Sequence, residues 1–214
     1  MTASIPGLAA HWAPLSVSAA RQAELAAWLA PAEADRAARY RQARDRRRFI
    51  VRRGRLRQLC ADRLGCAPSQ VPLAEGPFGK PFVEGASLRL NLSSSGDLAL
   101  VVLAEDLDVG CDIEWRRPDL ASRRTAERLF SPSEKAQLRA IDTEAAFTRA
   151  FFACWTRKEA LIKGVGLGLS LPLEDFDVSV APDCPAPLLS GPPGWSLRAF
   201  EPAPALHVAI AFRA

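Results

Sequence analysis

The sequence predicts an α+β fold on three observations. Its first third is rich in helix starts and helix formers. Residues 88–103 alternate and then run apolar as a pair of strands would. The second half places one long amphipathic helix ahead of several strand-like runs. At 214 residues, 49% hydrophobic and 24% charged, the chain can bury one substantial core or two small ones packed together.

In chain order, Ser18 can cap an Ala-rich helix ending near Ala30, and Pro31 suits the first turn of the next. Few strands are expected there. From Arg36 to Arg57 arginine recurs in clusters, opposed only by Asp35, Asp45 and Asp62 in and around the segment. Tyr40, Phe49, Leu56 and Leu59 mark an apolar stripe along it, which predicts a basic helix with one buried face, stopped by Pro68. Gly76-Pro77-Phe78-Gly79-Lys80-Pro81 is a stiff turn that presents a lysine, since its two prolines forbid a regular helix. Leu88, Leu90 and Leu92 alternate with Arg89 and Asn91. Gly96-Asp97 then turns the chain, and Leu98 to Leu103 returns to complete a hairpin.

Val109 to Trp115 reads as a further strand, and Ser131-Pro132-Ser133-Glu134 matches a capping box with Pro132 at the first helical position. From about Glu144 to Lys163 the spacing of Phe147, Phe151, Trp155 and Ile162 describes a long amphipathic helix. Gly164 can end it in the left-handed conformation, and Gly166 and Gly168 follow as a mobile loop. Phe176 to Val180, Trp195 to Phe200 and Leu206 to Phe212 are strand-like runs between proline-rich connections. No internal repeat is legible, yet each half offers helices plus an antiparallel set of strands, with a natural division near Glu105 to Asp108.

Several classes of function lack support. No run of eighteen apolar residues occurs and the first thirty residues lack a signal-peptide pattern, so a cytoplasmic location is expected. Cys60, Cys66, Cys111, Cys154 and Cys184 are odd in number and scattered, which reads as reduced, mostly buried thiols. His11 and His207 are the only histidines, too little for a zinc cluster or a Ser-His-Asp triad.

The chemistry is concentrated in two segments. In Gly110-Cys111-Asp112-Ile113-Glu114 the two carboxylates are two apart on a strand, so they share a face while Cys111 and Ile113 point into the core. Hard oxygens so placed suit Mg²⁺, which takes one or two carboxylates and completes its shell with water and phosphate. A solvated strand face is the plainer alternative. In Trp155-Thr156-Arg157-Lys158-Glu159-Ala160-Leu161-Ile162-Lys163, Glu159 and Lys163 lie one helical turn apart. They form either a surface ion pair or a carboxylate and ammonium facing a site.

Together these motifs resemble the 4′-phosphopantetheinyl transferases, specifically their monomeric class typified by the surfactin-synthetase-activating enzyme. Gly110-x-Asp112-x-Glu114, followed about forty residues later by Trp155-x-x-Lys158-Glu159-Ala160-x-x-Lys163-x-x-Gly166-x-Gly168-Leu169, is similar to the family's paired signature. Gly79-Lys80-Pro81 and Asn91-Leu92-Ser93 resemble its two upstream motifs. The resemblance implies two similar α/β lobes, 1–107 and 108–214, related by a pseudo-twofold axis, with coenzyme A and Mg²⁺ in the cleft between them. It implies a monomer whose partners are apo acyl or peptidyl carrier proteins. A carrier serine attacks the β-phosphate of coenzyme A, takes the phosphopantetheine arm and releases 3′,5′-adenosine diphosphate.

By the same resemblance Asp112, Glu114 and Glu159 ligate the metal, and Glu159 can also accept the serine proton. Lys163 stabilises the leaving phosphate, while Lys80, Arg48 and Arg36 hold the phosphates, including the 3′-phosphate that distinguishes coenzyme A, and Ser93 adds a hydroxyl. Mn²⁺ suits the same oxygens as Mg²⁺. Glu134 matches an acidic position that the family places near the metal, but as the third residue of a capping box it has a sufficient structural role. Trp155 reads as a core residue orienting its helix rather than an adenine-stacking ring.

One position departs from the family. Ser94 stands where members usually carry histidine, a change expected to weaken coenzyme A binding by roughly 1–2 kcal/mol and to be mended by Ser94→His. Two other functions compete with the transferase reading. One is a module that binds coenzyme A or a carrier protein without transfer. The other is nucleic-acid binding through residues 36–57, suggested by a pI near 9.0 but weakened by a net charge of only +4.

Overall fold

The chain passes twice through the same succession of elements. In the computed structural model, which describes residues 5–184 and 187–213 with the Leu169 side chain outside that description, the first half opens with strand β1 (Leu8–Pro14). Helices α1 (Ala19–Ala27), α2 (Pro31–Ala38) and α3 (Ala43–Leu64) follow, then a 3-10 turn at Pro68–Gln70 and strands β2 (Leu73–Glu75), β3 (Pro81–Val83), β4 (Leu88–Ser95) and β5 (Leu98–Glu105). The second half repeats the order with β6 (Asp108–Trp115), α4 (Arg123–Leu129), α5 (Pro132–Arg139) and α6 (Glu144–Val165). Two 3-10 turns at Gly168–Ser170 and Leu173–Asp175 lead to β7 (Asp177–Val178), β8 (Leu188–Ser190), β9 (Trp195–Ala203) and β10 (Leu206–Arg213).

Topology repeats as well. Each half has a three-stranded antiparallel sheet in which the opening strand pairs with the closing one, β1-β5-β4 and β6-β10-β9, and a two-stranded ribbon, β2-β3 and β7-β8. This is the expected α+β architecture of two similar lobes. The apolar faces of the two sheets pack on each other: Leu100 and Val102 of β5 meet Val109, Cys111 and Ile113 of β6 and Val208 and Ile210 of β10. Helix α3 covers the outer face of the first sheet through Leu56, Cys60 and Ala61. Helix α6 covers the second through Phe147, Phe151, Phe152 and Leu161.

Local rules explain the helix starts. Ser18, Ser131 and Thr143 each accept a backbone N–H three residues on, and Pro31 and Pro132 occupy first-turn positions. Four expectations need correction. The basic segment is two helices, because the chain turns at residues 39–42 and lays Tyr40 on Phe49 at 5.5 Å between ring centroids. Left-handed Gly65, φ 67°, ends α3 before Pro68 is reached. A strand, β1, precedes the first helix and edges the first sheet against the apolar β5. Helix α6 continues through Gly164 and ends at Gly166, φ 78°, and Gly168 opens a 3-10 turn, so the glycines expected to be a mobile loop are a cap and a turn.

Gly164 has a different duty from the expected cap. A Cβ on Gly110 of β6 would overlap the Ala160 carbonyl and the Gly164 backbone, and one on Gly164 would lie 2.5 Å from the Trp195 ring. Two glycines therefore let α6 rest directly on β6. That approach carries Glu159 and Lys163 toward Asp112 and Glu114.

Candidate active site

Strand β6 buries both faces. Cys111 and Ile113 point into the core between the sheets, while Gly110, Asp112 and Glu114 face α6. Asp112 is only 2% exposed. Across from it, alternate residues of β4 reach over with side chains. The Asn91 amide oxygen accepts from the Cys111 N–H at 2.9 Å, Ser93 Oγ donates to Asp112 Oδ1 at 2.7 Å, and Ser95 Oγ donates to Glu114 Oε2 at 2.8 Å. The two lobes are thus stitched at the site by side chains projecting from one face of β4.

Lys163 Nζ donates to Asp112 Oδ1 at 2.5 Å and to Ser93 Oγ at 3.0 Å. The surface ion pair with Glu159, open as an alternative on spacing alone, does not form; the lysine bridges α6 to β6 instead. Burial works against the Lys163 charge, but the Asp112 charge and hydrogen bond, with Glu159 behind them, outweigh it and hold the ammonium above its ordinary value. The carboxyls go the other way. Burial raises Asp112 above the usual carboxylate range despite the Lys163 and Ser93 bonds. Burial and then the Asp112 charge raise Glu114. Burial, and the Asp112 and Glu114 charges against the pull of Lys163, raise Glu159.

These groups fit a divalent cation. Three carboxylates against one ammonium leave two negative charges in a desolvated place, and Asp112 Oδ2 is buried without a hydrogen-bond partner. Among the described residues, no three potential ligands already converge on one point. The donor set is therefore present as a facing group of oxygens rather than a closed cage.

A cavity of about 350 Å³ opens beside them, lined by Phe78, Lys80, Asn91, Glu159, Lys163, Gly166 and Gly168. Asp112 and Glu114 are not on its wall; the Lys163 ammonium joins wall to Asp112. A second cavity of about 180 Å³ shares Gly79, Pro81 and Leu92 with the first and is walled by Arg36, Phe49, Arg52 and Arg53. A third, of about 190 Å³, shares Phe49 and Arg52 with the second and adds Tyr40, Arg48 and Ser94. Their shared lining residues place the three side by side, from Glu159 and Lys163 to the arginines of α2 and α3.

Of the expected phosphate ligands, Lys80, Arg36, Arg48 and Ser94 line these cavities and the buried Ser93 does not, and each has a partner of its own. Lys80 Nζ donates to the Val109 and Gly164 carbonyls at 3.0 and 2.6 Å, fastening the turn after β2 to β6 and the end of α6. Arg48 pairs with Asp97 at 2.8 Å and Arg36 with Glu75 at 3.1 Å. Ser93 is engaged with Asp112 and Lys163, and Ser94 Oγ accepts from Arg52 Nη1 at 3.0 Å. Arg52 was not singled out from sequence, although it stands one helical turn after Arg48.

Glu134 has partners of its own, none of them in the acidic group. It accepts from the Ser131 and Val178 N–H groups and pairs with Lys158 at 2.8 Å, both side chains 0% exposed. Lys158 also donates to the Leu173 and Phe176 carbonyls, so this motif lysine locks the α5, α6 and β7 region together. Trp155 stacks on Phe151 with ring planes 6° apart, as a core residue would.

Comparison with known proteins agrees with this geometry. A family model described as 4′-phosphopantetheinyl transferase, N-terminal, matches residues 10–107, and one for the 4′-phosphopantetheinyl transferase superfamily matches residues 108–206. The chain is 36% identical over 194 residues to the 4′-phosphopantetheinyl transferase HetI of Nostoc sp., covering 88% of this chain and 80% of that protein. It is 29% identical over 168 residues to a 4′-phosphopantetheinyl transferase of Bacillus subtilis, covering 78% and 73%. It is 28% identical over 165 residues to the L-aminoadipate-semialdehyde dehydrogenase-phosphopantetheinyl transferase of Xenopus laevis, covering 71% and 54%. Two adjoining family models and a relative matched over four-fifths of its own length show that the chain belongs to the 4′-phosphopantetheinyl transferase superfamily.

Proposed function

We propose that this chain transfers the 4′-phosphopantetheine group of coenzyme A to a serine of an apo acyl or peptidyl carrier protein and releases 3′,5′-adenosine diphosphate. The observation that carries the reading is the buried acidic group at the cleft, with an orphaned Asp112 Oδ2 and a single ammonium beside it. Asp112, Glu114 and Glu159 would hold Mg²⁺, or Mn²⁺, which when bound neutralises the diphosphate and acts on it as a Lewis acid.

The other tasks fall to the chain's own side chains. Ser93 and Ser95 fix Asp112 and Glu114 from β4. Glu159, on the cavity wall with its carboxyl raised above the ordinary value by burial, accepts the serine proton. Lys163, whose charge its neighbours reinforce, donates to the oxygen of the departing phosphate. Arg36 and Arg48 hold phosphates by exchanging their exposed carboxylate partners for a charge of −2. Lys80 lines the same cavity and supports it by holding Val109 and Gly164.

Residues 1–107 and 108–214 are taken as the two lobes, since the repeated order of elements restarts between β5 and β6. One chain then supplies both walls of the cleft, which favours a monomer. Among the described residues no helix is long and apolar enough to cross a membrane, in keeping with a cytoplasmic carrier substrate.

The test is to incubate the purified chain with coenzyme A, Mg²⁺ and a panel of apo carrier proteins and weigh the carriers intact. A gain of one phosphopantetheine arm, with matching release of 3′,5′-adenosine diphosphate, is expected. No gain on any carrier from a chain that binds coenzyme A would leave only a binding module.

A further inference from the structure

Helix α3 serves two separate cavities with two of its faces. Asp45, Arg48, Phe49 and Arg52 line the third cavity, while Ala43, Arg46, Arg47 and Ile50 line a fourth, of about 390 Å³, which shares no residue with the other three. Ala19, Gln22, Ala23 and Ala26 border it from α1. On both helices the lining residues fall at i, i+3, i+4 and i+7, so a single stripe of each borders the groove. The two helices are held together by Leu25 on Gly54, where a Cβ would lie only 2.7 Å from the Leu25 Cβ.

Alanine and isoleucine make up most of this lining; Arg46 and Arg47 supply its only charges, and no carboxylate is on its wall. Along the helix, Arg44 and Arg48 on either side pair with Asp45 and Asp97. Among the described residues Arg46 and Arg47 have no carboxylate within ion-pair distance, and Arg47 Nε is buried without a hydrogen-bond partner. An apolar stripe flanked by cations accepts an amphipathic helix whose apolar residues recur at the same spacing and whose flanks carry carboxylates. A second copy of this chain would set arginine against arginine. A membrane surface calls for large exposed apolar or aromatic side chains, and the one large apolar residue of the groove, Ile50, is buried.

We propose that the groove between α1 and α3 docks an acidic amphipathic helix of a partner protein other than the carrier substrate. A carrier serine has to reach Glu159 and Lys163, and their cavity shares no wall with this groove. The docking itself does not depend on the transferase reading.

The test is fluorescence anisotropy with a synthetic peptide of about 18 residues, long enough to hold a helix, with leucine at i, i+3, i+4 and i+7 and glutamate between. Binding should saturate and should survive saturating coenzyme A and an excess of apo carrier protein. It should weaken about tenfold in Arg46→Glu and in Ala23→Glu, each with a urea midpoint near that of the wild-type chain. A photoreactive group on one leucine should cross-link to residues 19–26 or 43–50, which decides the matter should neither variant fold. No binding, equal binding of the same composition in scrambled order, a cross-link elsewhere, or unchanged affinity in either folded variant overturns the proposal. Displacement by coenzyme A would put the peptide on the arginines of the cofactor cavities, and displacement by the carrier would make the groove the substrate's dock; either overturns it. Phosphatidylglycerol vesicles that bind the chain when the peptide does not would put a membrane there and overturn it as well.

Discussion

Asp112 is held on one oxygen by Ser93 and Lys163 and left bare on the other, and its neighbours Glu114 and Glu159 add charge of the same sign. Such a group is destabilising until a cation joins it, and binding to the folded state alone raises stability by mass action. Adding Mg²⁺ to chelator-treated protein should therefore raise Tm by roughly 2–4 °C, and Asp112→Asn should reduce the shift. A thermal scan with no shift in the wild-type chain would count against the acidic group as a cation site. Much of this group was legible in the sequence, because the alternation of a strand and the turn of a helix fix which neighbours share a face. The partner of Lys163 was not legible. Local spacing offers Glu159, whereas contact between α6 and β6 offers the more deeply buried Asp112.

The contact between α6 and β6 rests on Gly110 and Gly164. Gly110→Ala would push the helix off the strand and separate Glu159 and Lys163 from Asp112. It should cost about 3 kcal/mol or more, read as a lowered urea midpoint, and activity should fall along with it. An unchanged midpoint would mean that the helix yields freely. Lys158→Met removes the partner of a fully buried Glu134 and should cost about 3–5 kcal/mol by the same measurement, because the stranded carboxylate keeps its desolvation penalty. Elements governed by local chemistry were readable: the Ser18, Pro31 and Ser131 starts, the β4-β5 hairpin, and the capping-box role of Glu134. Elements governed by partners were not. Strand β1 depends on β5 for its pairing, the corner at residues 39–42 depends on Tyr40 reaching Phe49, and Gly164 is small because Gly110 and Trp195 crowd it.

The repeated succession of strand, helices, ribbon and hairpin leaves the two sheets back to back with one long helix outside each. No sequence repeat announced it, since burial constrains polarity pattern far more tightly than residue identity. The buried charges of this fold also set its response to acid. His207 is driven down to about 4 by burial, with Glu201 opposing and Arg116, Arg149 and Arg157 adding, against an ordinary 6.5. Between those values the unfolded chain binds more protons, so stability falls as pH drops from about 6.5 to about 4. Burial would raise Glu33, but the bonds from Arg57, the Ala30 N–H and Arg53 outweigh it and hold its carboxyl below 4.5. Its contribution is present above 4.5 and is lost as pH falls through the lower folded value. Urea midpoints should decline through this range, and His207→Gln should flatten the portion above about pH 4.5; a parallel decline in the variant would remove His207 as a cause.

The central claim is that the acidic group performs the transfer. It is tested most directly by weighing an apo carrier protein after incubation with coenzyme A, Mg²⁺ and the wild-type, Asp112→Asn or Glu159→Gln chain, with circular dichroism confirming each fold. The wild-type chain should add one phosphopantetheine arm, and both variants should be slower by about a hundredfold or more. Full activity in either folded variant would contradict the site.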